Sequence, residues 1–263
     1  MKNAKIKRTL LDALERAGRI VKANFGKPQK ISKKGVFNIV TEIDKASEKA
    51  VVDLILKRFP NHAILAEESP AVEGSEGRWI IDPIDGTTNF AHGFPTVSVS
   101  IGFELAGQLL MGGVFDPFRK ELFFAECGKG AMLNGRRIHV SKVETLSDSL
   151  LATGFPYDRH KNPDDYLGML RAFLTRIQGI RRCGSAAIDL CYVACGRFDG
   201  YYEMKLSPWD KAAGMIIVEE AGGTLTDFSG SPLTLMGIQN LATNGRIHGE
   251  VLAALEPFKH LGL

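Results

Sequence analysis

Residues 210–221 read as a helix that is apolar almost all the way round, with Ala212, Ala213, Met215, Ile216, Ile217 and Val218 among its twelve positions. A helix without a polar face is buried, so this chain needs layers on more than one side of it. Strands are legible upstream. Val97, Val99, Ile101 and Phe103 alternate with Thr96, Ser98, Ser100 and Gly102, the period of a strand. Residues 109–115 and 122–125 continue as strands across the turn Asp116-Pro117, an antiparallel meander, and Asn134-Gly135 marks one more tight turn.

Before the meander, Ile6, Leu10, Leu14, Ala17, Val21 and Phe25 recur at spacings of three and four and predict an amphipathic helix over 4–25, stopped by Gly26 and Pro28. A second helix is expected to begin near Thr41–Asp44, with Ala46, Ala50, Val51, Leu54 and Ile55 facing inward. Short buried strands are expected at 63–66 and 79–82. After the meander the pattern alternates. Helices are expected over 164–177 and 185–195, the latter rich in small residues and so closely packed. A strand region covers 198–204, short strands lie at 224–227 and 241–243, and a last helix runs from about His248. Strands in runs with helices in layers predict an α+β or α/β layered sandwich. We expect one domain over 1–263, with an internal division near residue 145 between two sheet layers.

Composition excludes several function classes. The net charge of +3 is too small to argue for nucleic acid. No run reaches the ~18 apolar residues of a membrane span, and the basic start at Met1–Arg8 lacks a secretory pattern. Of the four cysteines, Cys191 and Cys195 sit four apart in an apolar helical stretch and read as small buried hydrophobes; no CxxC pair supports zinc. The expected setting is a reduced cytoplasm. Neither GxGxxG after a strand, nor GxxxxGK[ST], nor HExxH, nor GxSxG occurs.

Chemistry concentrates in residues 79–90, WIIDPIDGTTNF. A buried strand delivers Asp82 to its end, Pro83 is expected to force a turn, and Asp85 returns three residues later, so two carboxylates can face one point. Gly86 admits a close backbone approach, and Thr87, Thr88 and Asn89 offer hydroxyls and N–H groups at a helix start suited to phosphate oxygens. Asp-Pro and Asp-Gly are also ordinary turn dipeptides; Asp116-Pro117 is given no function. The combination of strand, paired carboxylates, glycine and hydroxyls in twelve residues is what favours a site.

This segment resembles the signature of the inositol monophosphatase family. So do Glu67-Glu68-Ser69 before it, and Pro208-Trp209-Asp210-Lys211-Ala212-Ala213-Gly214 with Glu220-Ala221-Gly222-Gly223 after it, in the same order and spacing. The resemblance implies an αβαβα sandwich of the inositol monophosphatase and fructose-1,6-bisphosphatase type. It also implies a lithium-sensitive phosphatase with two or three Mg2+ per site, held by Glu67, Asp82, the Ile84 carbonyl, Asp85 and Asp210. Hard oxygen donors of this kind suit magnesium. By the same resemblance, Asp44 and Thr87 orient the attacking water, with Glu67 in the catalytic set. Locally, Thr41 and Asp44 also form a capping box. Substrate contacts are implied for Gly86, Thr87, Thr88, Arg181 or Arg182, Ser185, Ala186, Glu203 and Asp210. Lys33 resembles a residue of a mobile loop that closes over the metals. The expected substrate is a small phosphorylated polyol, inositol 1-phosphate first. A fructose-1,6-bisphosphatase or dual activity, a histidinol-phosphate phosphatase and a nucleotide 3′-phosphatase are the enzymatic alternatives. From a different class, a regulatory binding factor for transcription or ribosome assembly is the rival. A homodimer is implied; membrane association and direct nucleic-acid binding are not expected.

Overall fold

The computed structural model describes residues 2–261. In chain order it runs α1 (Lys2–Asn24), the hairpin β1 (Ile31–Lys33) and β2 (Ile39–Thr41), α2 (Glu42–Arg58), β3 (Ala63–Ala66), β4 (Arg78–Asp85), α3 (Thr87–Ala91), β5 (Ser98–Leu105), β6 (Gln108–Asp116), β7 (Glu121–Glu126), β8 (Gly130–Leu133) and β9 (Arg136–Arg137). It continues with β10 (Leu150–Thr153), α4 (Pro163–Leu174), β11 (Gly179–Arg181), α5 (Ala186–Ala194), β12 (Gly200–Met204), α6 (Pro208–Glu220), β13 (Thr224–Thr226), β14 (Gln239–Thr243) and α7 (His248–Leu255).

Strands β3 to β9 form a seven-stranded sheet in sequence order, antiparallel except for the β3–β4 pair. The second sheet has the order β11-β10-β12-β14-β13, with β10 parallel to both neighbours. Three apolar cores bind five layers, the middle core holding a helix layer between the two sheets. Leu10, Leu14 and Val21 of α1 and Val51 and Ile55 of α2 cover one face of the large sheet against Val99, Ile101 and Phe103. Helices α5 and α6 fill the space between the sheets, joining Val114 and Phe123 to Tyr201 and Ala242. Tyr166, Met169 and Phe173 of α4 and Val251 and Leu255 of α7 cover the far side of the small sheet. The result is a layered α/β sandwich with the largely buried helix α6 in its middle layer.

Strand β12 shows the layering within one element: Tyr201 packs into the central core, while Tyr202 and Met204 point into the outer one. Strand β5 is subtler. Its Val99, Ile101 and Phe103 face α1 and α2 as the alternation predicts, but Ser98 and Ser100 on the opposite face are fully buried, not solvated. They meet the site and α6, the Ser100 hydroxyl donating to the Trp209 carbonyl at 3.3 Å. Gly112 and Gly113 of β6 let helices approach from both sides. A Cβ on Gly112 would lie 2.7 Å from the Ala213 carbonyl oxygen, and one on Gly113 would lie 2.6 Å from Leu14 Cδ1.

Three expectations need correction. Pro83 does not end its strand: β4 runs on to Asp85, and the proline sits in an irregularity where the register with β5 shifts between Asp82 and Asp85. Ala46 faces solvent. Helix α2 instead buries Ile43, Ser47, Glu48, Ala50, Val51 and Ile55, because Ser47 donates to the Pro83 carbonyl at 3.0 Å and Glu48 accepts the Glu68 N–H at 2.8 Å. Cys191 is buried as expected, but Cys195 only partly so.

Candidate active site

The irregularity at Pro83 aims two carboxylates. Asp82 is 1% exposed and its Oδ1 accepts the Ile84 N–H at 2.9 Å, so the side chain braces the bend that follows it. Asp85 is 7% exposed and reaches across to the start of α5. There it accepts Ser185 Oγ at 2.5 Å, Ala187 N–H at 2.8 Å and Ala186 N–H at 3.2 Å, with Ser98 Oγ at 3.2 Å from the neighbouring strand. Asp85 therefore caps α5 from another element, satisfying N–H groups that the helix leaves unpaired. Gly86 follows with φ +98°, a left-handed conformation that glycine adopts without strain. It turns the chain into α3, whose first residue is Thr87.

Asp44 serves a capping box with one oxygen and meets Thr87 with the other. Asp44 Oδ2 accepts the Thr41 N–H at 2.8 Å, and the Thr41 hydroxyl accepts the Asp44 N–H, which completes a capping box at the start of α2. The other oxygen, Oδ1, accepts the Thr87 hydroxyl at 2.8 Å. Thr87 Oγ1 is also 3.0 Å from the Ile84 carbonyl. The hydroxyl proton is thus directed at Asp44 and Ile84, and the lone pairs of Thr87 remain able to accept a hydrogen bond from a third group.

Glu67 stands just past the end of β3. Lys34, from the β1–β2 hairpin, donates to Glu67 at 2.8 Å and to Glu68 at 2.6 Å. The ammonium that reaches the acids is therefore Lys34's; Lys33 lies exposed in β1. Asp210 is the third residue of α6, and its Oδ2 accepts the Ser207 N–H at 2.7 Å in a second capping box.

The carboxylates share one field. Burial raises the Asp82 carboxyl well above its ordinary range, and the charges of Glu67, Asp85, Asp210 and Asp44 add to it. Burial and then Asp85 and Glu67 do the same to Asp210. Burial pushes Glu67 up to about 7 against the pull of Lys34. Asp44 and Asp85 are also raised by burial, though their hydrogen bonds oppose it. Lys34 pairs with Glu67 and Glu68, and the acids outnumber such cations, so the site carries excess negative charge that a hard cation would relieve. The oxygen donors fit such an ion in kind. As the side chains stand, no three acidic, histidine or cysteine groups among the described residues close into a cage. Like charges repel, Lys34 engages Glu67, and Asp85 is turned toward α5.

A cleft of about 510 Å³ opens on this group. Asp85, Gly86, Thr88, Ser185, Ala186, Glu203 and Asp210 line it, whereas Asp82 and Thr87 are buried, at 1% and 4% exposure. Of the two arginines, Arg182 lines the cleft; Arg181 lies exposed on the edge strand β11, its guanidinium on the Ile180 carbonyl. Glu203 accepts the Tyr201 hydroxyl, and burial pushes its carboxyl up to about 7. A larger hollow of about 580 Å³ lies between the Asp227 turn and α7. Its charges are already matched, since Asp227 accepts from Ser229 and Ser231 and Lys259 pairs with Glu256. Ser98 and Lys34 escape sequence reasoning. Ser98 reads as the outward side of a strand, and nothing local distinguishes Lys34 from Lys33.

A layered α/β sandwich with an acidic cleft, where carboxylates from separate elements lie beside a hydroxyl–carboxylate pair, has the make-up of a metal-assisted hydrolase. Comparison with known proteins narrows this. Residues 2–260 match the model of the inositol monophosphatase family. The chain is 48% identical over 248 residues to an inositol-1-monophosphatase of Synechocystis, covering 93% of this chain and 86% of that protein. It is 45% identical over 233 residues to a protein of Pseudomonas aeruginosa named Nus factor SuhB, covering 86% of each. The crystal structure of extragenic suppressor protein SuhB from Bartonella henselae superposes with a TM-score of 0.91 at 38% identity, covering 98% of this chain and 99% of that one. The chain belongs to the inositol monophosphatase family, whose members are phosphatases. Among the described residues no helix is long and apolar enough to cross a membrane.

Proposed function

We propose that this protein hydrolyses a small phosphate monoester with magnesium, inositol 1-phosphate being the first candidate. The observation that carries this reading is the group of buried carboxylates around Asp82, raised by burial and by one another's charge and opening on a cleft beside the Thr87–Asp44 pair. Glu67, Asp82, the Ile84 carbonyl, Asp85 and Asp210 are the proposed donors to Mg2+. When bound, the metal would lower the pKa of a water and neutralise charge on the phosphate. The chain's own residues do the aiming. Thr87 accepts a hydrogen bond from the water while donating to Asp44, which fixes the direction of attack. Backbone N–H groups near Gly86–Thr88 hold phosphate oxygens, Arg182 adds positive charge at the cleft wall, and Glu203 receives a hydroxyl of the leaving alcohol.

The test is phosphate release in magnesium from inositol 1-phosphate, fructose 1,6-bisphosphate, histidinol phosphate and 3′-phosphoadenosine 5′-phosphate, before and after chelation. Inositol 1-phosphate should be turned over fastest, and chelation should stop it. No metal-dependent release from any of the four would sink the reading. The similarity to proteins named Nus factor SuhB supports a second reading, in which the same fold also binds a partner of the transcription machinery. Retention of that partner from cell extract by an Asp85→Asn variant would separate the binding role from turnover.

A further inference from the structure

Besides the carboxylates, the cleft is lined by side chains that phosphate chemistry does not use. Phe37, at the tip of the β1–β2 hairpin, and Tyr157, in the loop after β10, both line it while staying 42% and 48% exposed. Large rings left in water at the mouth of a cleft are surface that a ligand can cover. Phe37 is already held in place. The Arg159 guanidinium lies over its face, 4.6 Å from the ring centroid, and His160 meets it edge-on at 5.4 Å. Arg159 and Tyr157 belong to the same loop, so the hairpin and that loop are tied together at the rim. Tyr157 lines the same cleft as Asp85 and Asp210, so its ring shares one hollow with the acids. Aromatic platforms held this way lose little freedom when covered.

We propose that Phe37 and Tyr157 form a leaving-group subsite that takes the ring of a cyclic alcohol, a cyclitol or a nucleoside, against their faces while the ester phosphate lies beside the carboxylates. The proposal rests on the phosphatase reading and adds what that reading leaves open: which part of the cleft selects the alcohol, and by what chemistry. An acyclic ester has no ring face to stack and gains nothing from this wall.

The experiment compares kcat/KM for inositol 1-phosphate with that for glycerol 2-phosphate in magnesium. It uses the wild type and the Phe37→Ala, Tyr157→Ala and Tyr157→Phe variants, with melting temperatures to confirm folding. Wild type should favour the cyclic ester. Each alanine variant should cut that preference about tenfold, chiefly through KM, the size of one aromatic stacking contact; Tyr157→Phe should keep it. An unchanged preference in both alanine variants would overturn the subsite, as would a Tyr157→Phe loss equal to that of Tyr157→Ala. If Tyr157→Ala does not fold, Tyr157→Leu, which keeps bulk without a ring, takes its place. Absence of release from either ester by wild type would instead refute the phosphatase reading. Calorimetric binding of free inositol against glycerol then decides the subsite alone: weaker inositol binding in Tyr157→Ala supports it, and equal binding overturns it.

Discussion

Asp82 and Thr87 lie five positions apart and should fail very differently. Asp82→Asn keeps an oxygen for the Ile84 N–H, so the bend that it braces survives. The charge is lost, and with it much of the attraction for a divalent ion. Metal activation of water is worth several kcal/mol of barrier, so turnover should fall by roughly a thousandfold or more. Thr87→Ala removes one hydrogen bond to Asp44. That is worth about 1–3 kcal/mol, so kcat should fall by roughly tenfold to a hundredfold. Steady-state kinetics on the two variants check this, and equal, modest losses would contradict the assigned roles. The arginines give a second contrast. Arg182→Ala removes a cation from the cleft wall and should raise KM severalfold; Arg181→Ala, on the outer edge strand, should leave KM within about twofold.

Helix α6 packs tightly on the large sheet where β6 offers it a glycine. A Cβ on Gly112 would sit 2.7 Å from the Ala213 carbonyl oxygen and 2.8 Å from the Ala213 Cα, backbone atoms that cannot rotate away. Gly112→Ala should therefore cost about 1–3 kcal/mol. Gly249→Ala, with nothing within 4 Å of its added Cβ, is the control and should be neutral or slightly stabilising. Urea midpoints decide, and equal midpoints for the two variants would refute the tight seam. The same contrast marks what periodicity could show. Where one face of a long element is apolar, as in α1 and α6, the pattern found the element to within a few residues. It missed β10 and β11, because Leu150–Thr153 and Gly179–Arg181 are too short to show alternation. It misplaced Ala46 because a polar pair, Ser47 and Glu48, takes the inward positions by bonding Pro83 and Glu68. In the site, Asp82, Asp85 and Gly86 were readable since their geometry is local. Lys34, Ser98, Tyr157 and the choice of Arg182 over Arg181 depend on how a hairpin, a strand and two loops meet, which no window of sequence contains.

The site draws carboxylates from both sheets and from the helix layer between them, so their repulsion acts on the assembly of the layers themselves. This sets a pH dependence whose sign can be worked out. Burial lifts Glu203 and Glu67 from 4.5 to about 7 in the folded chain, and Asp82, Asp85 and Asp210 are raised in the same direction. A carboxyl raised on folding keeps its proton in the native state after the unfolded chain has lost it. The native state then binds more protons, and stability falls as pH rises. The contribution is whole below the unfolded values near 4.5 and is lost as pH passes about 7. For Glu203 alone it is on the order of 3 kcal/mol. Buried His248, lowered by desolvation, works the other way, but it is one group against several. With metal chelated, the melting temperature should therefore fall between pH 5 and pH 8, by roughly 5–10 °C. On the proposed function magnesium would bind the ionised carboxylates, so the stabilisation that it restores should grow over the same interval. Thermal melts in chelator and in magnesium across this range test both halves. A melting temperature that is flat or rising in chelator would mean that burial does not raise these carboxyls in the native state. A magnesium effect equal at both ends would mean that the ion is not held by them.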